Sequence, residues 1–146
     1  MTNSAMIDIF CPNWSKGLSV SAKLLQAAIE RISGGRLRCR IFWTWEAYYA
    51  AENRDDPPPS ELVEFGAAAI FVQNIFSRPF LGRYRSRIFL PNPEWLDADQ
   101  AELAGEICDV ILHKSCFSLA LLGKHFPGAR HHMIGFTSPD PMETVE

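Results

Sequence analysis

The feature that most constrains this chain is the alternation of short apolar runs with segments of helical periodicity. After the first run, Leu18, Ala22 and Leu25 recur at the three-to-four-residue spacing that places them on one helical face. Strands that alternate with helices predict a mostly parallel sheet with helices on both faces. We expect six strands, near residues 5–11, 37–43, 67–72, 87–90, 109–112 and 131–136.

Capping residues mark the ends of the predicted helices. Gly34 and Gly35 are suited to end the first helix, because glycine takes the left-handed conformation without strain. Asp97 or Asp99 caps the helix before the fifth strand, and Ser115 caps the one after it. The apolar strands fit a sheet that is covered on both sides. The sequence therefore predicts an α/β fold, a Rossmann-like three-layer sandwich.

Size and charge narrow the possible classes of protein. The 146 residues are enough for one domain, with the last six, 141–146, as a tail. A net charge of −3 gives no general attraction to nucleic acid, so no nucleic-acid partner is expected. No apolar run approaches the ~20 residues that a membrane span needs. No basic cluster precedes an apolar stretch at the N-terminus, so we expect a cytoplasmic protein without a transmembrane segment.

The cysteines and histidines do not predict a metal site. The four cysteines form no Cys-x-x-Cys pair, and no histidine stands at zinc-finger spacing from them. We interpret all four as buried, reduced thiols. His131 and His132 are adjacent in a predicted strand, so they point to opposite faces and cannot share a metal. We expect no metal and no cofactor.

Polar side chains follow almost every predicted strand, where ligands of open α/β sheets bind. Amides, hydroxyls, carboxylates and indoles suit a polyhydroxylated ligand, because they combine hydrogen bonds with an apolar ring face. The alternative is that these loop ends are simply solvated and shape turns. The candidate binding residues are Asn13, Trp14, Ser15, Lys16, Gly17, Asn74, Asn92, Glu94, Trp95, Lys114, Ser115, Thr137, Ser138 and Asp140.

The first of these loops, residues 13–17, lies between a strand and the N-terminus of a helix. Backbone N–H groups and the helix dipole favour an anion there, and Lys16 would add a positive charge. Neither the dinucleotide-binding nor the Walker fingerprint is present. The alternative is a plain turn that contains one glycine.

Three segments in the second half carry recognisable motifs. Residues 92–95 form an Asn-x-Glu-Trp turn, residues 114–115 are Lys-Ser after the next strand, and residues 135–140 read Gly-Phe-Thr-Ser-x-Asp. This arrangement resembles the N-terminal, acceptor-side domain of bacterial GT-B-type glycosyltransferases. The start of the first helix, at Gly17 and Leu18, is similar too.

The resemblance implies a glycan or glycolipid acceptor and a second Rossmann-like domain that holds most of the nucleotide-sugar site. That second domain is missing from these 146 residues, so we expect no hexosyl transfer by this chain alone. Catalytic residues stay unassigned, because no nucleophile, base and orienting group can be assembled from the spacing. The alternative function is a non-catalytic, flavodoxin-like module that binds a small ligand or a protein.

Overall fold

A computed structural model of the chain describes residues 4–12, 16–44, 64–73, 75, 82–93 and 96–135. Its strands are β1 (Ala5–Pro12), β2 (Leu37–Thr44), β3 (Ala68–Val72), β4 (Ser86–Leu90), β5 (Val110–His113) and β6 (Arg130–Met133). They form one six-stranded sheet in the order β2-β1-β3-β4-β5-β6, and every pairing is parallel. The predicted α/β, Rossmann-like architecture is confirmed.

The strand order reverses direction at β1. This strand pairs with β2 along one edge and with β3 along the other, so the chain leaves β1 and β3 toward opposite sides of the sheet. In open parallel sheets such a reversal opens a crevice at the carboxyl ends of the two strands. The carboxyl ends of β1 and β3 therefore mark where a ligand is expected.

Helices lie on both faces of the sheet. The helices of the described residues are α1 (Lys16–Ile32), α2 (Ala98–Ile107) and α3 (Cys116–Leu122). The predicted stripe on α1 is confirmed, because Leu18, Ala22 and Leu25 are buried. They pack with aliphatic side chains of β1, β3 and β4 on one face of the sheet. On the other face, α2 and α3 contribute to a core rich in aromatic residues, in which Phe10 stacks on Phe71 at 5.4 Å between ring centroids.

A buried carboxylate explains the one charged residue of the first strand. Asp8 is fully buried, and its Oδ1 accepts hydrogen bonds from Arg40 Nε at 2.8 Å and Nη2 at 2.6 Å. Its Oδ2 accepts from the Gly66 amide at 2.7 Å and from the Tyr84 hydroxyl at 2.9 Å. Burial is the main cause of a raised pKa at Tyr84, and the negative charge of Asp8 raises that pKa further. The Tyr84 hydroxyl therefore stays protonated and donates its hydrogen bond. We call these four residues the Asp8 cluster.

Gly66 is required for this arrangement. A Cβ atom at this position would lie 2.6 Å from the Met6 carbonyl oxygen and 3.1 Å from Asp8 Cγ. The approach of the Gly66 backbone to the carboxylate therefore leaves no room for a side chain. The cluster joins β1 and β2 to the segments that precede β3 and β4.

Several predicted boundaries shift by a few residues. Ser115 caps α3 as predicted, but α3 ends at Leu122, since the chain turns at Gly123 rather than continuing as a helix. β5 extends to His113, one residue beyond the predicted end of this strand at residue 112. β6 ends at Met133 rather than three residues later, and Gly135 takes a left-handed φ of 57° that takes the chain out of extended geometry.

The prediction of four buried thiols is wrong for one of them. Burial raises the pKa of Cys11 and Cys108 to about 12 and that of Cys39 to about 11. All four cysteines are free, but Cys116 is exposed because it opens α3 at the surface. Its thiol lies 3.4 Å from the thioether of Met133.

Among the described residues, no helix is both long and apolar enough to cross a membrane.

Candidate functional site

Five of the predicted binding residues belong to the described part of the chain. Lys16 and Gly17 open α1, Asn92 follows β4, and Lys114 and Ser115 follow β5. All five lie at the carboxyl end of the parallel strands. The remaining predicted residues lie outside the described ranges, namely Asn13, Trp14, Ser15, Asn74, Glu94, Trp95, Thr137, Ser138 and Asp140.

Lys114 brings three separate elements together. Its Nζ donates to Asn92 Oδ1 at 2.7 Å and lies 3.4 Å from Ser21 Oγ. Asn92 follows β4, whereas Ser21 is buried on the second turn of α1. The ammonium group therefore reaches from β5 across the end of β4 to the helix that follows β1. We call Lys114, Asn92 and Ser21 the Lys114 cluster.

The positive charge of Lys114 also acts on a side chain of β1, the Cys11 thiol. Burial raises the pKa of Cys11, and the positive charge of Lys114 acts in the opposite direction. The Cys11 thiol contacts the carbonyl oxygens of Leu18 at 3.3 Å and Pro12 at 3.4 Å, so it is a neutral donor and a poor nucleophile. The ammonium group is thus close enough to the end of β1, where the strand order reverses, to act on the Cys11 thiol.

Gln73 connects the end of β3 to this cluster. It is buried, and its Oε1 accepts a hydrogen bond from the Asn92 amide at 2.6 Å. Its own amide donates to the Leu90 carbonyl at 2.9 Å. Gln73 takes a φ of 71°, a conformation that costs a residue with a side chain about 1 kcal/mol. In this conformation the Gln73 side chain reaches the Asn92 amide and fixes the backbone of the Asn92 loop.

Gln100 is a second buried glutamine at the same edge. It lies in the first turn of α2, and its Oε1 accepts from the Ile75 amide at 2.8 Å. Its Nε2 is buried and has no hydrogen-bond partner among the described residues. An unpaired buried donor costs roughly 1–3 kcal/mol, which an acceptor oxygen would offset. The sequence placed Gln73 in the polar loop after the third strand, but an isolated glutamine gives no motif, so neither Gln73 nor Gln100 was among the candidate binding residues.

The two predicted residues that open α1 are exposed. Lys16 and Gly17 stand in the first turn, which holds no acidic side chain. The first-turn N–H groups of a helix have no intrahelical partner and favour negative charge. Gly17 lies one turn before Ser21 on α1, so this turn adjoins the Lys114 cluster. Ser115 Oγ, by contrast, accepts from the Ser118 amide at 3.2 Å and caps α3.

A buried histidine pair lies beneath the end of β5. His113 Nε2 and His131 Nδ1 are 2.8 Å apart, His131 Nε2 lies 2.8 Å from the Phe126 carbonyl, and His113 Nδ1 lies 2.9 Å from Ser118 Oγ. Since a carbonyl only accepts, neutral His131 is protonated on Nε2, His113 donates from Nε2, and Ser118 donates to His113. Burial and then His131 lower the pKa of His113, so His113 is uncharged at neutral pH. The sequence did not predict this contact.

A groove among the described residues has a different character. A groove of about 510 Å³ runs between the second half of α1 and the chain after β6. Its lining is apolar except for Arg31, so it lacks the converging polar groups of a selective site. Across the described ranges, no three His, Cys, Asp or Glu side chains come together as a metal site would require. The carboxyl edge is therefore the better candidate.

The chemistry of this edge is that of binding. An ammonium, an amide and a helix N-terminus converge on it, and together they suit oxygen acceptors, whether hydroxyl or anionic. No protein-family model, no curated protein and no solved structure matches this chain.

Proposed function

We propose that this chain is the acceptor-side domain of a GT-B-type glycosyltransferase and holds a hydroxylated ligand at the carboxyl edge of its sheet. The observation that carries the proposal is the hydrogen bond between Lys114 Nζ and Asn92 Oδ1. Asn92 belongs to the Asn-x-Glu-Trp turn, and Lys114 belongs to the Lys-Ser motif. Two of the motifs that resemble this family, 22 residues apart in sequence, thus meet in one cluster.

The position of the cluster also supports ligand binding. Lys114 lies near the carboxyl end of β1, next to the reversal of strand order, where sheets of this type bind ligands. The Gln73 side chain holds the Asn92 loop in place. A cation that is held by side chains on two other elements is already oriented, which lowers the entropic cost of binding.

The second candidate is a non-catalytic module of flavodoxin-like shape. Five of the strands follow the order 2-1-3-4-5, which is that of flavodoxin-like sheets, and β6 extends this sheet at one edge. Such a module would use the same crevice for a small anion or nucleotide. The two candidate functions therefore differ in the ligand that is bound rather than in the position of the binding site.

Saturation-transfer NMR on the purified chain tests these candidates. The probes are neutral methyl glycosides, hexose 1-phosphates, inorganic phosphate and a nucleotide monophosphate. We expect a glycoside or a hexose phosphate to bind, and Lys114→Met to weaken that binding at least tenfold. Lys23→Met is the matched control, because Lys23 is exposed on α1 further from the N-terminus and should leave binding unchanged.

The outcomes separate the two functions. Binding of phosphate or nucleotide without any sugar would favour the flavodoxin-like module and contradict the acceptor-side domain. Sugar binding that is unaffected by Lys114→Met would contradict the site. We also expect no hydrolysis of nucleotide sugars by the 146-residue chain. Hydrolysis that Lys114→Met abolishes would contradict the proposal that this domain binds the acceptor without catalysing transfer by itself.

A further inference from the structure

The outer edge of β2 is partly occupied by side chains of α1. β2 stands at one end of the strand order, so among the described strands it pairs with β1 alone. Along its other edge, Ser33 Oγ accepts a hydrogen bond from the Leu37 amide at 3.0 Å. Glu30 Oε1 accepts from the Cys39 amide at 2.9 Å, and Gln26 Nε2 donates to the carbonyl oxygen of Cys39 at 3.0 Å. The first half of this edge is therefore closed to a further strand.

The second half of the same edge is open among the described residues. The N–H and C=O groups of alternate strand residues point to the same side, and those of Leu37 and Cys39 point away from β1. Ile41 and Trp43 continue this alternation, so their N–H and C=O groups point outward too. No described residue donates to or accepts from these outward groups. A concavity of about 350 Å³ lies along this stretch and is lined by residues 40–43.

The side chains of the open stretch are largely apolar. Trp43 is 39% exposed and lies on the same face of the sheet as Ile41, which packs partly against the aliphatic core. Phe42 lies on the opposite face, in the aromatic core, with the Arg40 guanidinium 5.4 Å from its ring centroid. That guanidinium is paired with Asp8. The open stretch thus offers backbone hydrogen bonds flanked by apolar side chains, which is the pattern of an edge that pairs with another strand.

We propose that the open stretch of β2 pairs with the same stretch of a second copy of this chain, antiparallel and about a twofold axis at Phe42. In this register Ile41 of one copy lies opposite Trp43 of the other, and the two residues exchange both N–H···O=C bonds. The twofold axis repeats this pair of residues on its other side. The two sheets then continue into each other, and the contact closes at two copies.

The extent of the open stretch favours this symmetric register. In this register Thr44 of one copy lies opposite Arg40 of the other. Because β2 ends at Thr44, the paired stretch stops one residue short of Cys39, whose backbone groups are occupied by α1. A strand that extended further along β2 would have to displace the side chains of Glu30 and Gln26.

The side chains also match across the axis. Each pair that exchanges backbone bonds sets an isoleucine beside a tryptophan, and pairs of an aromatic with a β-branched residue stabilise antiparallel strands. The open stretch is thus complementary to itself in length, in backbone groups and in side chains. The dimer goes beyond the proposed function, because β1 and β3 separate β2 from the Asn92 end of β4. Failure of one proposal leaves the other standing.

Sedimentation velocity over a range of concentrations tests the dimer. We expect the wild-type chain to dimerise and Trp43→Pro to raise the dimer dissociation constant at least tenfold, because proline has no N–H. The N–H of Trp43 points away from β1, so proline removes no bond of the sheet, and circular dichroism confirms that the variant is folded. Trp43→Phe is the matched control, because it keeps the N–H and an aromatic ring and should leave the dissociation constant nearly unchanged.

The outcomes of this comparison are decisive. A wild-type chain that is monomeric at every concentration, or a dimer that Trp43→Pro leaves intact, would overturn the proposal. A loss in Trp43→Phe as large as that in Trp43→Pro would contradict pairing through the backbone.

Amide hydrogen exchange of the wild-type chain tests the register without any substitution. We expect exchange at Ile41 and Trp43 to slow as the protein concentration rises through the dimer dissociation constant, because only the dimer pairs these amides. The Phe42 amide points toward β1 and the Cys39 amide is held by Glu30, so both should exchange at rates that do not depend on concentration. Dimerisation without slower exchange at Ile41 and Trp43 would contradict the proposed pairing.

Discussion

Two charged clusters of this molecule contrast in their chemistry. In the Asp8 cluster, at the start of β3 and β4, a fully buried carboxylate meets a guanidinium and two further donors. In the Lys114 cluster, at the end of β4 and β5, a partly buried ammonium meets the neutral oxygens of Asn92 and Ser21. The Asp8 carboxylate meets a guanidinium within the fold, whereas Asn92 and Ser21 contact the Lys114 ammonium through neutral oxygens.

This difference separates a structural cluster from a binding cluster. A buried carboxylate that accepts four hydrogen bonds from three residues stabilises the fold and has no capacity for a ligand. An ammonium group that is oriented at the carboxyl edge of a sheet is placed to make charge-assisted contacts with the oxygen atoms of a ligand. The contrast predicts that the Asp8 cluster matters for stability and the Lys114 cluster for binding.

The largest effect should come from Asp8→Asn. The substitution leaves the partly buried Arg40 without its counter-charge, and we expect it to lower the free energy of unfolding by about 3 kcal/mol. Asp97→Asn is the control, since Asp97 caps α2 and asparagine caps a helix equally well. Urea denaturation measures both. A loss below about 1 kcal/mol for Asp8→Asn would show that the cluster is not structural.

His113 gives an intermediate case, because it is fully buried like Asp8 but uncharged at neutral pH. The pKa of folded His113 lies below its ordinary value of 6.5, so below that pH the unfolded chain binds a proton that the folded chain does not. The free energy of unfolding should therefore fall as the pH drops below 6.5, by up to about 1.4 kcal/mol per pH unit from this group. His113→Gln should make this dependence shallower, while His132→Gln, at an exposed position, should not. Equal slopes for wild type and His113→Gln would disprove the assignment.

The smallest effect on stability should come from Lys114→Met. Methionine keeps the apolar stem, and the contacts with Asn92 and Ser21 are to neutral oxygens, so we expect the substitution to lower the free energy of unfolding by less than about 1 kcal/mol. Urea denaturation beside Asp8→Asn gives the comparison directly. If the two substitutions destabilise the chain equally, the distinction between a structural and a binding cluster is wrong.

Local features of the fold could be predicted from the sequence. The buried stripe of α1 follows from helical periodicity alone, and Asp97 rather than Asp99 proved to be the cap, with its Oδ1 accepting from the Gln100 amide at 2.7 Å. The exposure of Cys116 was missed, because burial statistics for cysteine do not specify which side of a helix it occupies.

Contacts between distant elements could be predicted only in part. The sequence placed Asn92 and Lys114 at the same edge of the sheet, but the length and direction of the lysine side chain decide that they touch. The contact between His113 and His131 depends on the register of β5 and β6, in which His131 lies opposite Ile111. Register is a tertiary property, and no local pattern encodes it here.

The most direct test of the binding site is an amide chemical-shift map. A ¹⁵N-labelled chain is titrated with a hexose 1-phosphate, and the shifted backbone amides are assigned. The account predicts the largest shifts at Gly17, Asn92 and Ser115, and their loss in Lys114→Met. Shifts confined to the groove of Leu24, Ala28 and Ile134, or shifts that persist unchanged in Lys114→Met, would contradict the placement of the site at the carboxyl edge.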